Sequence, residues 1–186
     1  GWAGSRGARS VRGQDVEYRI QVGFEEAYRG SERSIEFSLG NGERRQFKIK
    51  VPAGISTGGK LRLAGKGASS STGGEAGDLY VLVDVAEHPD FTRVGNDIEV
   101  PLALKVSEVL LGTKAEIKTL DGPRKIKVPA GVKVGTKMRL RELGFPNLSD
   151  SRASRGHLYA VIELDAPKKL NSQQRELVEQ LSALGL

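Results

Sequence analysis

Val51-Pro52-Ala53-Gly54 returns as Val128-Pro129-Ala130-Gly131. Carried forward to Gly67 and Gly144, the two stretches are identical at nine of 17 aligned positions, among them Gly58/Gly135, Lys60/Lys137, Arg62/Arg139 and Leu63/Leu140. A 13-residue loop follows in each, 65–77 and 144–156. Then come two strand-like runs, Leu79-Tyr80-Val81-Leu82-Val83 and Leu158-Tyr159-Ala160-Val161-Ile162. Upstream, Phe24-Glu25-Glu26-Ala27-Tyr28-Arg29-Gly30 corresponds to Val106-Ser107-Glu108-Val109-Leu110-Leu111-Gly112. Three matches in the same order mark an internal repeat. The chain is a tandem of two related subdomains, divided near Asn96.

Within each copy the apolar period is two, the mark of a half-buried strand. Val16, Tyr18, Ile20 and Val22 alternate with polar residues, as do Ile35, Phe37 and Leu39. Gly40-Asn41-Gly42 predicts a turn, after which Phe47, Ile49 and Val51 resume the alternation. In the second copy Ile98, Val100, Leu102, Leu104 and Val106 alternate, and Asp121-Gly122 is the hairpin turn. Pro101 offers no N–H to a ladder, so an edge position is expected there. The segments ending in Gly30 and Gly112 predict one short helix each, closed by a glycine in the left-handed conformation. The fold class is therefore all-β and mostly antiparallel: two small β-sandwiches, each with one short helix. Units of this size bury little surface alone, so the two are expected to lean on each other.

The C-terminus changes period. Asn171-Ser172-Gln173-Gln174 predicts an N-cap and capping box, and Leu177, Val178, Leu181 and Leu184 follow at helical spacing. So short a helix is marginal alone, and its stripe requires a partner, either its own domain or a second chain. The expected divisions are 1–14 as a Gly/Arg-rich flexible linker, 15–97 as the first subdomain, 98–167 as the second and 168–186 as the helical end.

Composition removes whole classes of function. The 186 residues include no cysteine and two histidines, which excludes disulfides, thiolate nucleophiles and sulfur-ligated zinc, and leaves no metal expected. No apolar run is long enough to span a bilayer and no signal-peptide core is visible, so a cytoplasmic protein without membrane contact is expected. Half of the +6 net charge comes from Arg6, Arg9 and Arg12, and the remaining Lys and Arg are dispersed. A grip on nucleic acid is usually clustered.

Two motifs invite chemistry and fail. Gly54-Ile55-Ser56-Thr57-Gly58-Gly59-Lys60 has phosphate-loop spacing, but Leu61 stands where the metal-holding hydroxyl belongs, and Leu61-Arg62-Leu63 alternates like a strand. It reads as a Gly-rich β turn. His88-Pro89-Asp90 spells the signature of J domains, which needs a helical hairpin that these flanks do not supply. No carboxylate pair or nucleophile elbow is present, so neither catalytic residues nor cofactors are expected.

Taken together, Phe24 to Gly30, the two Val-Pro-Ala-Gly segments, Gly77-Asp78-Leu79-Tyr80-Val81, the stretch from His88-Pro89-Asp90-Phe91 through Thr92-Arg93-Val94-Gly95-Asn96-Asp97, and Gly156-His157-Leu158-Tyr159 resemble the C-terminal substrate-binding region of a DnaJ-type co-chaperone. The resemblance covers about residues 15–186. Phe37 runs straight into a short turn where that family carries its Cys-rich zinc insert, so the chain is similar to the zinc-free branch, which includes curved-DNA-binding proteins.

The resemblance implies a homodimer that binds hydrophobic segments of unfolded clients for a DnaK-type chaperone. It implies a peptide groove on Tyr18, Ile20, Ile35, Phe37 and Phe91, an acidic-tail site on Arg33, Arg44 and Arg45, and dimerisation through Leu177, Val178, Leu181 and Leu184. Alternation alone leaves open whether the first set faces a groove or a core. DNA binding through dispersed Lys and Arg is the alternative function.

Overall fold

The computed structural model describes residues 10–39, 42–150, 152 and 154–186. The chain divides into two units: the first runs to Ile98 and also takes in Arg141–Leu158, and the second holds Glu99–Leu140 and Tyr159–Leu186. The sequence division assigns 141–158 to the second copy. Phe145 accounts for the difference: it is fully buried in the first unit, edge-on to Phe24 and Tyr28 at 5.1 and 5.4 Å between centroids.

In the first unit, β1 (Val16–Val22) is followed by α1 (Phe24–Arg29), the hairpin of β2 (Ser31–Ser38) and β3 (Arg44–Val51), then β4 (Gly59–Leu63), β5 (Leu79–Val85) and the short β6 (Thr92–Val94). The first sheet has the order β1-β5-β4, and β2-β3 forms a second. Most pairing is antiparallel, but β1 runs parallel to β5, with Tyr18 beside Val81. Alternation reports which face is wet and is silent on the neighbour's direction. The expected turn at Gly40-Asn41-Gly42 lies partly outside the described residues. The Gly-rich segment 54–60 is a turn leading into β4, as the strand-like Leu61-Arg62-Leu63 requires.

In the second unit, β7 (Asp97–Lys105) leads to α2 (Val106–Leu111), the hairpin of β8 (Thr113–Ile117) and β9 (Arg124–Val128), then β10 (Lys137–Leu140), β11 (Leu158–Asp165) and α3 (Ser172–Ala183). β11 lies between β10 and β7. Val106 does not continue the strand; it opens α2 and is exposed. Leu102, Leu104, Ile117, Val128, Ala160 and Ile162 are buried in this unit.

The helices repeat one construction. Glu26 Oε2 accepts from the Gly23 N–H at 2.7 Å, and Glu108 Oε2 accepts from the Lys105 N–H at 2.9 Å, so each acid satisfies an amide at its helix start. Gly30 (φ 77°, ψ 156°) and Gly112 (φ 76°, ψ 161°) end the helices. Their positive φ is as expected, but the ψ values place them outside the left-handed helical well, in a region essentially confined to glycine. A Cβ there would also meet the returning Val-Pro-Ala-Gly segment: Ala53 N at 3.0 Å for Gly30 and Ala130 N at 2.8 Å for Gly112. Each Val-Pro-Ala-Gly loop recurs because it closes over its own helix end, with Gly54 N donating to Ala27 O and Gly131 N to Val109 O.

At the C-terminus the expected capping box is present: Asn171 Oδ1 accepts from Gln174 N at 2.8 Å, and Asn171 N donates to Gln174 Oε1 at 3.0 Å. Every described residue of α3 is exposed.

Candidate functional site

Two strand edges frame the candidate site in the first unit. β1 is an outer strand of its sheet and β2 an outer strand of the hairpin. Alternation sends Val16, Tyr18 and Ile20 to one face of β1, where all three are half-buried, and Ile35 and Phe37 to one face of β2, where both are buried. The Tyr18 and Phe37 rings meet at 5.6 Å, and Phe37 meets Phe47 at 6.0 Å. Phe91, the fifth expected member, is buried against Phe24 and His88 instead. The groove set therefore separates into a seam of four side chains, open on its β1 side, and a neighbouring aromatic cluster.

The counterpart strand shows what half-burial means here. β7 carries Ile98, Val100 and Leu102 at the positions matching Val16, Tyr18 and Ile20, and all three are buried. One pattern is sealed in the second copy and left half-open in the first.

The three expected acidic-tail residues differ in what they hold. Arg33 reaches from β2 to β1, where Nη1 donates to Gln21 O at 2.7 Å. Its Nε and Nη2 form a bidentate pair with Glu26 at 3.0 and 2.7 Å. The Gly23 amide, and after it Arg33, hold the Glu26 carboxyl below the usual carboxylate range. Arg45 donates to Glu43 Oε1, Gly67 O and Ser69 Oγ at 2.8, 2.9 and 2.8 Å, tying β3 to the 65–77 loop. Arg44 is exposed at the start of β3, opposite Ser38.

Other ionic groups were not legible in the sequence. Asp78 is buried and accepts from Gly65 N at 2.9 Å, Arg62 Nε at 2.8 Å and Arg12 Nη2 at 2.9 Å. The Gly65 amide first, then Arg62 and Arg12, lower its pKa to about 2. Arg12 belongs to the stretch expected as free linker. Val11 to Gln14 instead run along the 65–77 loop, with Gly13 N donating to Glu75 O and Gln14 O accepting from Ala68 N. Loop partners as far along the chain as Glu75 and Ala68 offered no periodicity from which to foresee this.

A cleft of about 600 Å³ lies beside the aromatic cluster, lined by Phe24, Val85, His88, Phe91 and Arg93 among others. Of the seam residues it reaches none. Among the described residues no cluster of His, Asp and Glu could hold a metal, and no helix is long and apolar enough to cross a membrane.

The stripe Leu177, Val178, Leu181 and Leu184 is exposed, and none of the described residues covers it.

Comparison with known proteins gives one consistent result. The family model of the DnaJ C terminal domain matches residues 16–167. The chain is 43% identical over 141 residues to the chaperone protein DnaJ of Erysipelothrix rhusiopathiae, covering 76% of this chain and 38% of that protein. It is 39% identical over 140 residues to DnaJ of Bacillus cereus strain B4264, covering 75% and 37%. With DnaJ of Clostridioides difficile strain 630 it shares 40% over 138 residues, covering 74% and 35%. The chain thus spans little more than a third of the length of these relatives.

Proposed function

The chain belongs to the DnaJ C-terminal domain family, and from that premise we propose that it is the client-holding part of a co-chaperone: it captures extended apolar segments of unfolded proteins along the β1–β2 seam and passes them to a DnaK-type chaperone. One observation carries the reading. Val16, Tyr18 and Ile20 are half-open, whereas their repeat counterparts Ile98, Val100 and Leu102 are buried.

The chemistry suits weak, broad capture. An extended client segment can pair with an exposed strand edge through its backbone, while alternate side chains enter between Tyr18, Ile20 and Phe37. Two or three anchors supply about 1.5–3 kcal/mol each. Ordering and immobilising the segment removes several kcal/mol of this. A micromolar Kd, near −8 kcal/mol, is the expected ceiling. Arg33 and Arg44 border the seam and are proposed to receive an acidic tail of the partner chaperone. Arg45, tied into the loop, supports that site by fixing β3.

The exposed leucine stripe of α3 supports a homodimer, which would offer a client two seams at once. The same reading carries a cytoplasmic setting and no catalytic chemistry of its own.

Aggregation of a heat-denatured client tests the seam. Ile20→Ser is expected to lose most suppression while lowering Tm by only a few degrees. A matched control, Leu102→Ser, should lower Tm more and spare capture per folded molecule. Equal melting losses with capture intact in both would make Ile20 ordinary core. Removal of residues 170–186 should convert a dimer to a monomer by sedimentation; a persisting dimer would refute the role given to α3.

A further inference from the structure

The cleft beside the seam has a chemistry of its own. Its aromatic wall is built from Phe24, His88 and Phe91, with His88 5.4 Å from Phe24 and 4.8 Å from Phe91. His88 Nδ1 accepts the Asp90 N–H at 3.0 Å, which leaves the ring proton on Nε2 as a donor. Val85 and Ala86 add apolar surface, and Ser56 and Thr57 also line the space.

Arg93 is the unusual member. Its Nε donates to Gly95 O at 2.8 Å, its Nη1 to Ile55 O and its Nη2 to Gly54 O at 2.8 Å. Its guanidinium carbon lies 3.7 Å from the centre of the Phe145 ring. All these partners are neutral. Burial pulls the guanidinium's pKa down, and no carboxylate among the described residues offsets the effect. A guanidinium has five N–H groups, and its bonds among the described residues use three. A partly desolvated cation with donors to spare therefore borders an aromatic cleft, and an anion placed there would gain a charge-assisted bond at little further desolvation cost.

We propose that the cleft binds a carboxylate carried beside an aromatic or aliphatic side chain, the side chain lying against Phe24, His88 and Phe91 and the carboxylate facing Arg93 and the His88 Nε2–H. Such a carboxylate comes from a polypeptide C-terminus or from an acidic residue next to an apolar one. The site is independent of the seam, since Phe91 alone among the expected groove residues reaches it.

Fluorescence anisotropy with three dansyl peptides tests this on the whole chain: Gly-Gly-Leu-Phe as free acid, the same peptide as its amide, and Gly-Phe-Asp-Gly amide. Either the first or the third should bind about tenfold more tightly than the plain amide, and whichever does identifies the source of the carboxylate. Glu87, exposed on the cleft lining, should oppose that charge, so Glu87→Lys is expected to tighten the carboxylate peptide about threefold and leave the plain amide unchanged. His88→Ala should weaken it, whereas Ile20→Ser should not. Arg93→Gln also releases Gly54 and Ile55, so the Glu87 and His88 variants serve as the decisive pair. Equal affinity for all three peptides, or no response to Glu87→Lys, would overturn the site. Loss of carboxylate binding in Ile20→Ser would instead place these peptides in the seam.

Discussion

The two copies use one set of backbone bonds to reach different surfaces. In the first copy Gly67 N donates to Gly77 O, Gly77 N to Ala68 O and Ala68 N to Gln14 O. In the second, Gly144 N donates to Gly156 O, Gly156 N to Phe145 O and Phe145 N to Asn96 O. Asp15 accepts from Asp78 N as Asp97 accepts from His157 N, both at 2.7 Å. The scaffold is duplicated down to individual amides, and what it presents is not. Ala68 stands where the other loop carries Phe145. Gly54 is pressed against Pro146 O, while nothing lies within 4 Å of a Cβ built on Gly131. Phe24 and Tyr28 are buried under Phe145, whereas their counterparts Val106 and Leu110 are 42% and 44% exposed. The shared backbone and the unshared side chains therefore contribute to the fold separately, and the side chains are where the two copies part.

The largest expected effect is at the asymmetric loop. Phe145→Ala removes a fully buried ring from between Phe24, Tyr28 and Arg93 and should cost about 3–5 kcal/mol. Ala68→Ser at the equivalent place should cost under about 0.5 kcal/mol. Urea midpoints measure both, and similar losses would erase the distinction between the loops.

Next come the helix-ending glycines, which sharpen the shared part. Gly30→Ala and Gly112→Ala should each cost about 1–3 kcal/mol through the glycine-only backbone region. The two values should agree within about 1 kcal/mol; a neutral Gly112→Ala would show that the scaffolds are not equivalent.

The smallest effect separates Asp78 from its counterpart His157. The folded-state pKa of Asp78, about 2, lies below that of an unfolded aspartate. Its stabilisation is therefore complete above about pH 4, where the unfolded carboxyl is also ionised, and is lost as pH falls through the folded value near 2. Thermal melts between pH 5 and 2 should show a shallower acid-side decline in Asp78→Asn than in the unaltered chain. Parallel curves would remove Asp78 from the acid response.

Much of this was readable in the residues, for identifiable reasons. The repeat was visible because Val-Pro-Ala-Gly must close over a glycine-ended helix, which constrains side chains at fixed spacing. The strands were visible because one face of each is wet, and the helix cap because Asn171 and Gln174 act locally. What escaped depends on distant partners. The parallel β1–β5 pairing leaves alternation unchanged, and Phe145 looks like any apolar residue in a polar loop. Arg33 crosses from β2 to Gln21 on β1, and Arg45 reaches Gly67 and Ser69 in a later loop. Alternation marked Tyr18, Ile20, Ile35 and Phe37 as the apolar faces of their strands and left groove or core open, because the degree of closure over them is set by tertiary packing.

That closure is best tested by amide hydrogen exchange with and without an excess of a reduced, carboxymethylated unfolded protein. Client binding along the seam should slow exchange severalfold in Val16–Val22 and Ser31–Ser38 and leave Asp97–Lys105 unchanged. Protection confined to Asp97–Lys105, or equal in both strands, would contradict the half-open edge of the first unit as the place where clients are held.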